Sequence, residues 1–359
     1  MKKTLLTICL VWMCFSLSAQ KIIDLSGKWS FSIDRQDNGE KEKWFSHTLN
    51  DFINLPGSMP EKLKGDEVTA KTQWTGSLYD SSYYYNPYME KYRKEGNIKF
   101  PFFLTPDKHY VGAAWYQKEV NIPADWKGER ILLFLERPHI ETTVWVNGQK
   151  TGMQNSLCVP HQYDITRYVR PGKCTITIRV DNRIKEINVG PDSHSITDQT
   201  QGNWNGIVGR ICLQTTPKTY FDDIQIYPEP EQKLARVKVV IKGTGTAKVK
   251  LSAESFNTDK KHIVPAIQQE IKLNKGVTET EMVLPMGNDM LLWDEFHPAL
   301  YKLKAEVTNG KKTEIKEIQF GMRRFEIKGK WFYVNGRKTQ LRGTIDNLYF
   351  RFTVYVPMD

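Results

Sequence analysis

At 359 residues, with 40% hydrophobic and 26% charged residues, the chain is too long for one ordinary domain and has the composition of a folded globular protein, not a disordered one. The net charge of +10 raises nucleic acid as a partner, but ten Lys or Arg against four Asp or Glu fall between Glu231 and Lys275. There the lysines alternate with apolar residues, as in Val237-Lys238-Val239 and Lys248-Val249-Lys250-Leu251, which is the solvated face of a sheet and no nucleic-acid motif.

In chain order, Lys2 and Lys3 precede an apolar run from Thr4 to Leu17, and Ser18-Ala19 offers small residues before Gln20. That pattern is a signal peptide expected to be cleaved after Ala19, with export to the periplasm or beyond. The run is shorter than the roughly 20 residues of a membrane span and no later segment approaches one, so no transmembrane anchor is expected. Cys9 and Cys14 leave with the leader, and Cys158, Cys174 and Cys212 remain. Three cysteines imply no disulfide framework; buried free thiols are expected, with a Cys158–Cys174 bridge as the less favoured option. No Cys/His cluster has zinc spacing and no glycine-rich phosphate loop follows a strand, so neither metal nor nucleotide cofactor is implied.

Period-2 alternation then recurs along the chain, and no long stretch keeps a 3.6-residue period. Thr175 to Val180 sends Ile176, Ile178 and Val180 to one face and Thr175, Thr177 and Arg179 to the other. Ala247 to Ala253 and Tyr301 to Val307 repeat the pattern, while Ile131 to Leu135 is apolar throughout, as for a strand covered on both faces. Asn147-Gly148, Asn309-Gly310 and Asn335-Gly336 lie between strand-like runs and tolerate the positive φ angles of a type I′ hairpin turn. Many short strands with turn punctuation predict an all-β protein of sandwiches. The alternation resets around Thr215 to Tyr220 and again near Phe325 to Lys330. This divides the chain into a leader (1–19), a first sandwich (20–218), a second (219–325) and a remainder (326–359). Between about Gly57 and Tyr110 the periodicity is poor and aromatics are dense, among them Trp74, Tyr84 and Tyr92. A stretch of this length inside a domain points to function or mobility.

Several blocks, in order, resemble family 2 glycoside hydrolases. Leu25-Ser26-Gly27-Lys28-Trp29-Ser30-Phe31 is similar to the opening strand of the family's sugar-binding domain, and Asn54-Leu55-Pro56-Gly57 to its "NLPG" turn. Ala114-Trp115-Tyr116 with Ile122-Pro123, Val144-Trp145-Val146-Asn147-Gly148, Tyr163-Asp164-Ile165-Thr166 and Asn203-Trp204-Asn205-Gly206-Ile207 with Arg210 continue it. Leu292-Trp293 with Pro298-Ala299-Leu300-Tyr301 resembles the family's immunoglobulin-like domain. Phe320-Gly321-Met322-Arg323, Asn335-Gly336 and Leu341-Arg342-Gly343 resemble the junction into its catalytic barrel.

The resemblance implies a jelly-roll (galactose-binding-like) sandwich, then an immunoglobulin-like sandwich, then a (β/α)8 barrel carrying a glutamate acid/base and a glutamate nucleophile about 5–5.5 Å apart. Such a barrel takes about 250 residues. Only 31 residues follow Lys328, and no Asn-Glu pair occurs anywhere in the chain. The chain is therefore expected to hold the non-catalytic N-terminal portion of a retaining β-glycosidase of the β-galactosidase or β-glucuronidase type, ending in a short barrel stub and inactive alone. A free-standing secreted carbohydrate-binding protein is the alternative. Oligo- or polysaccharide is the implied partner, and in the family the sandwiches support homo-oligomer contacts.

For sugar contact the resemblance selects the loop before Gly206-Ile207. Asn203 matches the family's asparagine, whereas Thr200 stands where its acid would fall and Asp198 lies two residues away. Asn203, Asp198 and Trp204 are the candidates there, with Trp74 and Tyr84 from the aromatic stretch, since sugars stack their C–H faces on rings. Glu136, Glu141 and Asp181 read as solvent-facing or turn carboxylates, Asp164 as a turn acid, and His161, His194 and His297 as surface or satisfied structural histidines.

Overall fold

The computed structural model describes residues 21–69, 71–72, 74, 85–98, 105–157, 159–185, 202–274, 276–344, 350 and 352–356. Two compact units are present: Lys21–Thr216 with Gly343–Asp359, and Pro217–Arg342.

The first unit contains β1 (Ile22–Asp24), β2 (Gly27–Asp34), β3 (Asp51–Leu55), β4 (Gly57–Ser58), β5 (Asp66–Glu67), β6 (Lys108–His109) and β7 (Ala113–Ile122). It continues with β8 (Arg130–Pro138), β9 (Glu141–Val146), β10 (Gln149–Asn155), β11 (His161–Asp164), β12 (Gly172–Asp181) and β13 (Gly206–Thr216). One sheet runs β1-β13-β8-β11 with β4 also on β13, the other β10-β9-β12-β7-β2-β3, and every pairing is antiparallel. Their facing side chains form one core that includes Trp29, Phe31, Tyr116, Leu133, Leu135, Ile176, Ile178, Val180, Ile211 and Leu213. The alternation read at Thr175–Val180 thus holds, yet its polar face is covered as well: Thr177 and Arg179 are buried. On that second face Trp115 and Trp145 pack at 5.0 Å with Trp44 and Phe45, brought over by the segment that joins β2 to β3. Leu132 and Leu133 are both buried, as a strand covered on two faces requires.

The second unit holds β14 (Tyr220–Glu229), β15 (Leu234–Lys242), β16 (Gly245–Phe256), β17 (Ile263–Leu273), β18 (Val277–Pro285), β19 (Leu300–Asn309) and β20 (Lys312–Phe320). The sheets β14-β15-β18 and β17-β16-β19-β20 enclose a core of Val237, Val239, Ile241, Val249, Leu251, Leu303 and Val307, while Lys248 and Lys250 face out. All three Asn-Gly pairs join consecutive strands. At Asn147-Gly148 and Asn335-Gly336 both residues take positive φ, as a type I′ turn requires. At Asn309-Gly310 only glycine does: Asn309 pairs Lys312 as a strand residue, so the two-residue loop is shifted by one, to Gly310-Lys311.

A barrel stub is not evident among the described residues. β21 (Phe325–Lys328), β22 (Trp331–Val334) and β23 (Arg337–Thr339) form an antiparallel three-stranded meander instead. Two tight turns let these strands satisfy one another's backbone groups, and the Leu341-Arg342-Gly343 segment that follows forms no strand. Cys174 and Cys212 are buried free thiols, and burial pushes the Cys174 thiol up to about 11. Cys158 lies outside the described residues.

Candidate functional site

Polar side chains concentrate where β12 ends and β13 begins. Strand β12 closes on Asp181-Asn182, and the Gly202–Asn205 segment leads into β13 beside the end of β8. Gly206 is demanded here by close approach, because a Cβ would collide with the Gly57 carbonyl and the Ser58 Cα of β4. Three residues on, Gly209 at φ 72° sits in a β-bulge between Val208 and Ile211, and Arg210 turns outward to pair with Glu136.

Three asparagines tie this end together. Asn182 donates to the Tyr110 carbonyl (2.8 Å) and to Asn203 Oδ1 (3.0 Å), and its Oδ1 accepts from the Gly112 amide (2.8 Å). Asn203 returns a bond from Nδ2 to the Asn182 carbonyl (3.1 Å). Asn205 donates to the carbonyls of Gly112 (2.9 Å) and Val180 (3.0 Å) and accepts from the Tyr116 hydroxyl (2.8 Å). Asn182, Asn203 and Asn205 are all buried, and satisfied amides of this kind hold a loop in one conformation.

Between Asn203 and Asn205 the Trp204 ring is laid on His139, with centroids 4.4 Å apart and planes at 17°. Burial pushes the His139 imidazole down to about 3, only partly offset by its hydrogen bond with Asn203, so the ring is neutral at pH 7. A second ring neighbour of Trp204 is Tyr355, with centroids 5.5 Å apart. It belongs to a short segment in which Ser58 Oγ donates to the Thr353 carbonyl (2.5 Å) and Arg137 Nη2 to the Val356 carbonyl (3.1 Å). The Tyr355 hydroxyl donates to Glu61 Oε2 (2.8 Å).

Asp181, which sequence reading took for a solvent-facing or turn carboxylate, is fully buried, and Glu141 nearly so. Asp181 Oδ2 accepts from Arg183 (2.6 Å), Lys185 (2.8 Å) and Arg179 (3.0 Å); Glu141 takes Lys185 (2.9 Å), and Asp37 takes Arg179 and Arg183 (2.7 Å each). Three acids face three bases. Burial alone would raise the Asp181 carboxyl, but the bonds from Arg183 and Lys185 outweigh it and hold the group well below the usual carboxylate range.

Of the sequence-selected candidates, Asn203 and Trp204 thus fall in one cluster, Asn203 within the amide network and Trp204 inside a ring stack. Trp74 is half-buried and packs on His109 at 4.7 Å. Asp198 and Tyr84 lie outside the described residues, as does His194. Asp164 accepts from the Thr166 amide (3.1 Å), the turn role expected of it. His161 is satisfied by Thr142 Oγ1 (2.6 Å) and the Ser156 carbonyl (3.3 Å). Sequence reading missed Asn182, Asn205, His139 and Arg137. The only available signal was a pair of polar residues, Asp181-Asn182, closing an apolar strand. Among the described residues no group of three or more His, Cys, Asp or Glu is placed to hold a metal ion.

The family model of the glycosyl hydrolases family 2 sugar binding domain matches residues 22–217, and a second model, glycosyl hydrolases family 2, matches residues 219–323. A beta-glucuronidase of Paenibacillus borealis is 24% identical over 90% of this chain and 49% of its own length. A beta-galactosidase large subunit of Latilactobacillus sakei is 24% identical over 89% and 49%. The crystal structure of Ruminococcus gnavus beta-glucuronidase superposes with a TM-score of 0.62 at 19% identity, covering 91% of this chain and 49% of that one. The chain spans about half the length of these relatives.

Proposed function

Because the chain belongs to the glycosyl hydrolases family 2, we propose that it supplies the two accessory sandwiches of a retaining β-glycosidase acting on O-glycosyl bonds of oligo- or polysaccharides. The ordered match of both family models, end to end over residues 22–323, carries this reading. The beta-glucuronidase and beta-galactosidase names of the relatives support the substrate class. Retaining hydrolysis needs one carboxyl to protonate the leaving oxygen and another to attack. In this reading that pair comes from outside the sandwiches, where two of the buried acids, Asp181 and Glu141, are engaged with Arg179 and Lys185. The amide and indole cluster around Asn203 and Trp204 forms the sugar-facing end of the first unit. Purified chain is expected to leave nitrophenyl β-glucuronide and β-galactoside uncleaved; turnover at enzymic rates overturns the accessory role.

Export is part of the same proposal, with Met1–Ala19 as the leader. Mature protein recovered outside the cytoplasm should begin at Gln20, and a full-length cytoplasmic product would refute this. Homo-oligomer contact through the sandwiches is likewise proposed, and light scattering that reports only monomer would remove it.

A further inference from the structure

We propose that the Thr353–Val356 strap occupies a binding site for a uronate-bearing sugar on the first unit, with Tyr355 standing where the sugar ring would lie. The proposal rests on the reading that this unit binds carbohydrate, and adds to it a place, a ligand charge and a competitor within the chain.

The surface under the strap has the parts that sugar recognition uses. Trp204 offers an indole ring, which contacts Tyr355 and is held by its stack with His139. Glu61 offers a carboxylate that now accepts the phenol of Tyr355, and a sugar hydroxyl makes the same bond. Ser58 Oγ supplies a further hydroxyl, now given to the Thr353 carbonyl. Tyr355 itself is a flat six-membered ring with a hydroxyl at one end, close in size to a pyranose.

The charge of the ligand is read from Arg137. Its Nη2 donates to the Val356 carbonyl, but its Nε is buried with no hydrogen-bond partner. Among the described residues no carboxylate pairs with Arg137. A guanidinium presents Nε and Nη as a fork that a carboxylate engages with both oxygens, whereas one backbone carbonyl fills a single prong. A buried donor left unmade is costly, so the strap is an imperfect occupant and a uronate carboxylate a better one. The guanidinium lies 5.8 Å from the Tyr355 ring centroid, and the phenol of the same ring reaches Glu61. A sugar in place of that ring therefore meets an acceptor for its hydroxyl and a fork for its carboxylate.

The strap is also built to sit and to leave. Val354 adopts φ 62°, a left-handed conformation unfavourable for a β-branched residue, and it occupies the space where a side chain at Gly202 would project. Phe352 remains exposed.

Calorimetry on the full chain with methyl β-glucuronide and methyl β-galactoside tests the idea. Tyr355→Ala should tighten glucuronide binding at least tenfold over the parent chain and leave galactoside unchanged, and adding Arg137→Met should erase the gain. Gly202→Val, which displaces Val354 without touching Tyr355, should reproduce part of it. Equal glucuronide affinity in parent, Tyr355→Ala and Gly202→Val chains overturns the proposal, as does an equal gain for both sugars. If sugars bind all of these chains alike, the carbohydrate-binding reading stands and only the strap proposal falls. If no chain binds any glycoside, both fall.

Discussion

The second sandwich is built from plain alternation: Val237, Val239 and Ile241 point in, their lysine neighbours point out, and Glu314, bonded to the Phe221 amide at 2.6 Å, is its one buried acid among the described residues. The first sandwich has the same layered core, yet it also buries Asp181, Asn182, Asn203 and Asn205 near one end and covers the far face of its six-stranded sheet with Trp44 and Phe45. Both answer the same requirement to hide apolar strand faces. The difference lies in what the surplus of order is used for: buried polar groups contribute little net stability and are hard to replace, so their concentration marks where the fold holds a particular loop in place.

The contrast can be broken first at Asp181. Asp181→Ala leaves Arg179, Arg183 and Lys185 without their shared carboxylate, and should cost the first unit about 3–5 kcal/mol in denaturant unfolding. Its pH signature follows from the direction of the shift. The folded-state carboxyl is held below its unfolded value of about 4, so its stabilisation is fully present above that pH and declines as pH falls further. Unfolding midpoints of the parent chain should drop below pH 4 and those of Asp181→Ala should respond less; identical acid dependence would contradict the buried network.

In the second sandwich the largest loss should come from a cavity instead. Leu303→Ala should cost about 3 kcal/mol, with no dependence on pH between 4 and 8. Asn205→Ala, which strands two carbonyls and the Tyr116 hydroxyl, should cost about 2 kcal/mol and raise hydrogen exchange around residues 202–206. The smallest effect is expected at the β9–β10 turn, where Asn147→Ala forces alanine to φ 49° and should cost about 1 kcal/mol. A silent Asn147→Ala would mean that the turn relaxes to another type.

The architecture was legible because period 2 is a backbone property: Ile176, Ile178 and Val180 could only share a face, and Asn147-Gly148 and Asn335-Gly336 could only turn tightly. Asn309-Gly310 shows the limit, since pairing of Asn309 with Lys312 moved the loop by one residue while keeping the hairpin. The candidate site was half legible. Asn203 and Trp204 were found by motif, but Asn182, His139 and Arg137 come from the ends of strands well earlier in the chain, and no local pattern announces a partner brought in by sheet pairing. Asp181 was misjudged for the same reason, since its bases sit on its own strand and just past it while its cover comes from elsewhere. The barrel stub was expected from motif order alone; Phe325 to Thr339 pair as a meander ahead of it, and residues 340–344 form no strand among the described residues.

The two buried thiols carry a practical consequence. Cys174 lies in β12 and Cys212 in β13, and Pro217–Arg342 contains no cysteine at all. Shielded and held in the protonated form, these sulfurs are unreactive until the strands around them separate. The slow phase of labelling by a thiol-directed dye is therefore a clock for the opening of the first sandwich alone, already wired into the chain.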